Sequence, residues 1–295
     1  MIVFENDGEI DPRLVMLIGV NVKESASAIG FFGTGLKYAV ASLARWGEEI
    51  RIQSGVNEYS FASEETEIRG RKFGVLAMFS KYDKAPLGFT TELGKRWEPW
   101  MVYRELWCNA HDEPASKVFR TDVAPAAVVG KTRVIVDGPK IQEAHFNRND
   151  FILAPDRNLL HKTKSVEIYE GAGTRIFYRG IAVQTPDKPS IFTYNITSHL
   201  YLTEDRTAGS WSTDPEIAKA LTELQDAGMI DATLMAPEDR LESRLDYSYA
   251  HSPGETWTTR ATQMAAVHPM QIPSSVRSKF VTATVACCPF CGRPL

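Results

Sequence analysis

Long apolar runs are missing from this chain, and its opening MIVFENDGEID has neither the basic start nor the apolar stretch of a secretory leader. A membrane span and an export signal are therefore not expected, and a cytoplasmic protein with no membrane partner is. Cysteine is scarce as well: four residues in 295, three of them crowded into ACCPFCGRPL at the C-terminal end. A secreted disulfide framework needs spaced pairs, so a reducing compartment fits better. Strong charge of one sign is also lacking. A formal net charge of −4 gives no global electrostatic reason to expect nucleic acid or an anionic membrane surface. Internal repeats and low-complexity tracts are absent, which excludes solenoids and fibrous arrays.

What is present is the composition of a folded protein, 43% hydrophobic and 24% charged, in a chain long enough for two domains. Ile2 to Phe4 reads as a strand that stops at the turn-type sequence Asn6-Asp7-Gly8. Asp11-Pro12 opens a helix with Leu14, Leu17 and Ile18 at helical spacing, and LKYAVASLARW, Leu36 to Trp46, is a second. Strands are expected over Glu49–Gln53, Glu58–Ala62, Phe73–Phe79 and Lys131–Val136, with Lys84 to Lys95 as a connector. Trp97 to Asp112 reads as a helix ended by Pro114. Further on, Ser165–Tyr169, Thr174–Val183 and Ser190–Ile196 suggest a β-meander. Asp214-Pro215 starts a helix that Gly228 would end, and the sequence from Ala236 is less regular.

Two stretches carry chemistry. IGFFGTGLKYA, Ile29 to Ala39, places Gly30, Gly33 and Gly35 ahead of a helix. Backbone amides can then approach a ligand unobstructed while the helix turns its positive end toward it, a geometry that suits phosphate. Glycines at helix starts also serve turn geometry and close packing, and no Gly-Lys-Ser/Thr follows to make a Walker loop. In MVYRELWCNAHDEP, Glu105, Asn109 and Asp112 fall at i, i+4 and i+7 and share one helical face, while Leu106, Trp107 and Ala110 supply an apolar side. An ordinary amphipathic helix has the same pattern. A carboxylate one turn from a carboxamide can instead divide two tasks, the acid polarising water and the amide oxygen ligating a hard Mg²⁺ ion.

Glu105-Leu-Trp-Cys-Asn109-Ala-His-Asp112 resembles the N-box, E-L-x-x-N-A-x-D, of the GHKL ATPases, the group of gyrase, the ninety-kilodalton heat-shock chaperones, histidine kinases and the MutL mismatch-repair proteins. Ile29 to Ala39 resembles their later glycine box, G-x-F-G-x-G-L-K-S-A. FENDGEID, Phe4 to Asp11, sits where the family has its first glycine box, D-x-G-x-G, which ends a strand and binds adenine. Leu17 to Lys23 looks like the L-G-x-x-x-K segment between the glycine boxes. Two departures stand out. Asn6, followed by Asp7, occupies the position of the adenine-binding aspartate before Gly8, and Ile10 replaces the second glycine.

The boxes also stand in an unusual order, both glycine boxes ahead of the N-box. A circular permutation explains this if Lys131–Val136 is the strand leaving the N-box region and Ile2–Phe4 the returning one, with the hairpin between them opened. Segments RIFYRGIAV, FTYNI and LTEDR, between Arg175 and Arg206, are similar to the transducer-like domain that follows in several members, with Arg179 and Arg206 as candidate γ-phosphate contacts. The resemblance covers roughly residues 1 to 208.

It implies a permuted Bergerat-type two-layer α/β (α+β) sandwich over 1–138, an α+β domain over 139–250 and a tail over 251–295. Glu105 would be catalytic and Asn109 the Mg²⁺ ligand. Asn6, Asp7, Gly8, Lys23, Gly30, Phe32, Gly33, Thr34, Gly35, Leu36, Lys37 and Asp112 would hold ATP. The implied activity is slow ATP hydrolysis driving a conformational or dimerisation switch, with a homodimer or a protein client as partner. A nucleotide-binding or sequestering protein without turnover is the rival. In the tail, Cys288-Pro-Phe-Cys291 is a C-x-x-C knuckle that makes Cys288 and Cys291 candidate Zn²⁺ ligands. Arg260, Arg277, Lys279 and Arg293, with no acid from Thr256 on, make that tail weakly basic and give the one hint of an anionic partner.

Overall fold

Period-two patterning in the first 140 residues is realised as a seven-stranded antiparallel sheet. The computed structural model describes residues 1–17, 33–250, 252–268 and 270–280. The chain divides into two compact units, the first Met1–Phe151 and the second beginning at Ile152. In the first, β1 (Ile2–Asp7), β2 (Glu49–Ser54), β3 (Asn57–Ile68), β4 (Arg71–Phe79), β5 (Lys84–Thr90), β6 (Lys117–Arg120) and β7 (Lys131–Asp137) are ordered β5-β4-β3-β2-β7-β1-β6. The helices of this unit are α1 (Arg13–Met16), α2 (Gly35–Trp46), α3 (Pro99–His111) and α4 (Pro139–Phe146).

Strand register decides which side chains meet the helices. Ile2, Phe4 and Asn6 stand opposite Val136, Val134 and Thr132, and these in turn opposite Ile50, Ile52 and Ser54. All nine therefore share one face of the sheet. The Phe4 ring meets Tyr103 of α3 edge-on at 5.1 Å, which identifies that face as the helix side. Each large apolar side chain buried there contributes about 1.5–3 kcal/mol relative to exposure. The other face buries Val3 and Ile135 and turns ionic toward the end of β1: Arg133 Nε donates to Glu5 at 2.6 Å, and Lys131 Nζ to both Glu5 and Asp7 at 3.0 Å. The unit is thus two layers, helices over one face of an antiparallel sheet, as the α/β sandwich expectation has it in coarse form.

Several local expectations change. The helix after Asp11-Pro12 is a single turn, because Leu17 is already extended. Lys84 to Thr90 is an edge strand, where Pro86 is tolerated because its missing N–H need not join a ladder. Directly after β7, Gly138-Pro139 starts a helix, with proline in the first turn of α4. That helix belongs to the first unit: Tyr103 hydrogen-bonds His145 at 3.0 Å and packs against Phe151, so the unit runs past residue 138.

The second unit holds a five-stranded sheet, order β11-β10-β12-β9-β8, from β8 (Leu159–Lys162), β9 (Val166–Tyr169), β10 (Ile176–Tyr178), β11 (Ile181–Gln184) and β12 (Thr193–Ile196). It is not a simple meander, since β10 and β12 pair in parallel. Its helices are α5 (Ser210–Leu221), α6 (Ala227–Leu234), α7 (Leu241–Arg244), α8 (Glu255–Val267) and α9 (Ser274–Phe280). Gly228 lies inside α6 rather than ending a helix, because Asp226 accepts the Met229 amide at 2.8 Å and caps a new one. Residues 255–280, read as part of an irregular tail, are largely helical and bury Trp257 beside Tyr247.

Candidate functional site

The site begins at the end of β1, where consecutive residues part. Asn6 lies on the helix side and is 8% exposed, its Nδ2 donating to the Asp7 carbonyl at 2.7 Å. Asp7 turns to the ionic face, where its half-exposed carboxylate pairs with Lys131. Of the two candidates for reading a base, Asn6 faces the helix layer and Asp7 does not. One of the two amide protons is spent on that carbonyl, and the oxygen Oδ1 is the acceptor that Asn6 can offer a ligand.

After Asp7 the chain turns at Gly8, whose φ of +94° lies in the left-handed region that favours glycine. Two hydroxyls stitch the turn to the sheet. Thr132 Oγ1 donates to Gly8 O at 2.8 Å and accepts from Ile10 N at 2.9 Å, while Ser54 Oγ donates to Ile10 O at 2.8 Å. The sequence reading passed over both residues. The signal that finds Thr132 is the antiparallel pairing of β1 with β7, which sets it directly across from Asn6.

Helix α3 runs along the same strand. Tyr103 sits over Phe4, and the Asp7 amide donates to Pro114 O, just beyond the helix, at 2.9 Å. Glu105 and Asn109 lie between these two anchors. Burial raises the pKa of the Tyr103 phenol, and it lowers that of its partner His145, with Arg148 and Arg120 adding to the effect. Val102, Leu106 and Ala110 fill the packed side of α3, whereas Asn109 and Asp112 are half-buried.

Helix α2 opens with Gly33 at φ +62°, Thr34 as N-cap without a side-chain capping bond, and Gly35 as the first helical residue. Glu105, only 4% exposed, reaches this point. A Cβ on Gly35 would stand 2.0 Å from its Oε1 and 2.6 Å from its Oε2. The absence of a side chain at Gly35 therefore admits the acid. The Thr34 hydroxyl is buried and has no hydrogen-bond partner among the described residues. The opening amides of a helix have no intrahelical acceptor, so Glu105 meets α2 at its donor end.

Of the residues expected to form a site, Asn6, Gly8, Gly33, Thr34, Gly35, Leu36, Lys37, Glu105, Asn109 and Asp112 all lie on β1 and its turn, the start of α2, and α3 with its cap. Lys23, Gly30, Phe32, Cys288 and Cys291 lie outside the described residues. Arg179 and Arg206 are in the second unit; Arg206 is buried, and Arg179 stacks over Tyr178 with 5.1 Å from guanidinium carbon to ring centroid. Among the described residues no three His, Cys, Asp or Glu side chains cluster as a metal cage, and no helix is long and apolar enough to cross a membrane. No model of a known protein family matches the chain, and neither curated proteins nor solved structures give a match to it.

Proposed function

We propose that the first unit binds Mg-ATP and hydrolyses it slowly, with the site of a GHKL-type domain whose boxes are permuted. The observation that carries this reading is the meeting of Glu105 with Gly35: the acid of one box lies against the glycine of the other, although the two are far apart in sequence. Support for the permutation comes from β7 and β1, which are antiparallel neighbours with Val136 opposite Ile2, as two arms of an opened hairpin would be.

On this reading Asn6 accepts a hydrogen bond from the base through Oδ1, and Gly8 lets the turn pass close beneath it. The amides opening α2 and the Thr34 hydroxyl, which has no partner among the described residues, donate to phosphate oxygens. Glu105 accepts the proton of a water molecule as that water forms a bond to the terminal phosphorus. The bond from this phosphorus to the bridging oxygen breaks, and ADP and phosphate leave. The donor set fits Mg²⁺: this ion keeps most of its waters and takes one or two protein oxygens beside substrate phosphates, so the half-buried Asn109 suffices without an acidic cage. Bound there, the ion would neutralise charge on the phosphates.

The test is calorimetry with Mg-ATP on the full chain, followed by single-turnover hydrolysis by the wild type and Glu105→Ala. Binding by both, with hydrolysis slowed about 10²-fold or more in the variant, is expected. Background hydrolysis by both with nucleotide still bound would mark a nucleotide-holding protein instead. Absence of binding would remove the site assignment altogether.

A further inference from the structure

Lys37 is 1% exposed, yet its ammonium carries a charge that no carboxylate balances among the described residues. Nζ instead donates to two main-chain oxygens, Leu14 O in α1 at 2.7 Å and Gly33 O at the entry to α2. One side chain therefore holds two pieces of backbone that flank residues 18–32 in sequence. A lysine that binds phosphate ordinarily keeps a mobile, hydrated ammonium that can reach its ligand. Two of the three donors on this one are spent on carbonyls.

The planarity of the peptide unit gives these bonds a consequence. In a trans peptide the carbonyl and the following N–H point in opposite directions. By holding Gly33 O, Lys37 aims the Thr34 N–H away from itself and sets the direction of an opening amide of α2. By holding Leu14 O, it fixes α1 to the same point.

We propose that Lys37 is a positioning residue, which ties α1 to the start of α2 and orients the amides there, and that it is not a phosphate ligand. The inference rests on the nucleotide reading of the site for its effect on affinity, but not for its effect on the backbone.

Two variants of the full chain separate donor from charge. Lys37→Gln keeps a group able to donate to carbonyls and removes the charge; Lys37→Met removes both. Amide hydrogen exchange at Val15 and Leu17 is compared with that at Ile52 and Val134 in the core sheet, and Kd for Mg-ATP is measured by calorimetry. Lys37→Gln is expected to keep exchange and affinity within about threefold of wild type. Lys37→Met is expected to accelerate exchange at Val15 and Leu17 about tenfold with the sheet unchanged, and to weaken nucleotide binding in parallel. Equal loss of affinity in both variants with unaltered exchange would overturn the proposal, since the charge would then be acting on phosphate. If Lys37→Met does not fold, Lys37→Gln alone decides: preserved affinity and exchange support positioning, and lost affinity refutes it. If the wild type binds no nucleotide, the ATP reading fails by itself, and unchanged exchange in Lys37→Met would still refute the backbone role.

Discussion

Two helix starts in the first unit use the same device in different surroundings. At α4, the Glu48 carboxylate accepts the Lys140 amide at 2.6 Å and the Ile141 amide at 3.2 Å, and a Cβ on Gly138 would fall 2.4 Å from its Cδ. At α2, Glu105 approaches Gly35 just as closely. In both places a glycine admits a buried acid to the positive end of a helix. Around Glu48 the donors are taken up in a cap. Around Glu105 the surroundings differ: the Thr34 hydroxyl has no partner among the described residues, Asn109 and Asp112 stay half-buried, and Asn6 faces the same layer from β1. A glycine beside an acid does not by itself mark a working site. The difference on which the nucleotide proposal draws is the Thr34 hydroxyl, which has no hydrogen-bond partner among the described residues.

The sharpest way to break this comparison is to fill both glycines. Gly35→Ala and Gly138→Ala should each destabilise the protein by about 1–3 kcal/mol, because the new methyl displaces a buried carboxylate. Denaturant midpoints read that loss. On the proposed function only Gly35→Ala should also weaken Mg-ATP, about tenfold or more by calorimetry, since only there does the displaced acid border the proposed phosphate donors. Equal nucleotide affinity in the two variants would reduce Glu105 to a second helix cap.

A smaller effect tests the two residues that end β1. Asn6→Ala should raise Kd for Mg-ATP about tenfold, the worth of one hydrogen bond to the base. Asp7→Ala should change it less than about threefold, because Asp7 faces Lys131 across the sheet and such a half-exposed pair contributes only about 0.2–1 kcal/mol to stability. The reverse order would put the base-reading acid on the ionic face and contradict the strand register.

Much of the first unit was legible because its signals are local. The alternation of KTRVIV and the formers of LKYAVASLARW depend on neighbours two to four residues away, and both elements stand where expected. The contact of Glu105 with Gly35 was not legible as geometry, for no local pattern says which face of α3 meets the end of α2. Edge strand β5 escaped notice because Pro86 and Gly88 read as loop, and the pairing that overrides them comes from β4, with Phe79 opposite Lys84; edge strand β6 is only four residues long and is fixed by its pairing with β1, Phe119 opposite Val3. Thr132 and Ser54 escaped for a related reason: a lone hydroxyl in a strand acquires meaning only from what lies across the sheet. The parallel pairing of β10 with β12 likewise depends on partners that spacing does not reveal.

A third acid, Glu5, extends the comparison to the opposite face, where spent capacity leaves a signature in pH. Burial alone, its largest single influence, would raise the Glu5 pKa, but hydrogen bonds and charge from Arg133 and Lys131 together outweigh it and hold the carboxyl below its usual range. Because the folded state resists protonating Glu5, its contribution is fully present above the ordinary carboxylate pKa of 4.5 and is lost as pH falls through the lower folded value. Denaturant midpoints followed downward from pH 6 should therefore decline at the acid end. Glu5→Gln should start lower and lose part of that decline. An unchanged acid slope in Glu5→Gln would mean that the strain of burying Glu5 cancels its ion pairs, and the ionic face would then owe its order to the strands rather than to its charges.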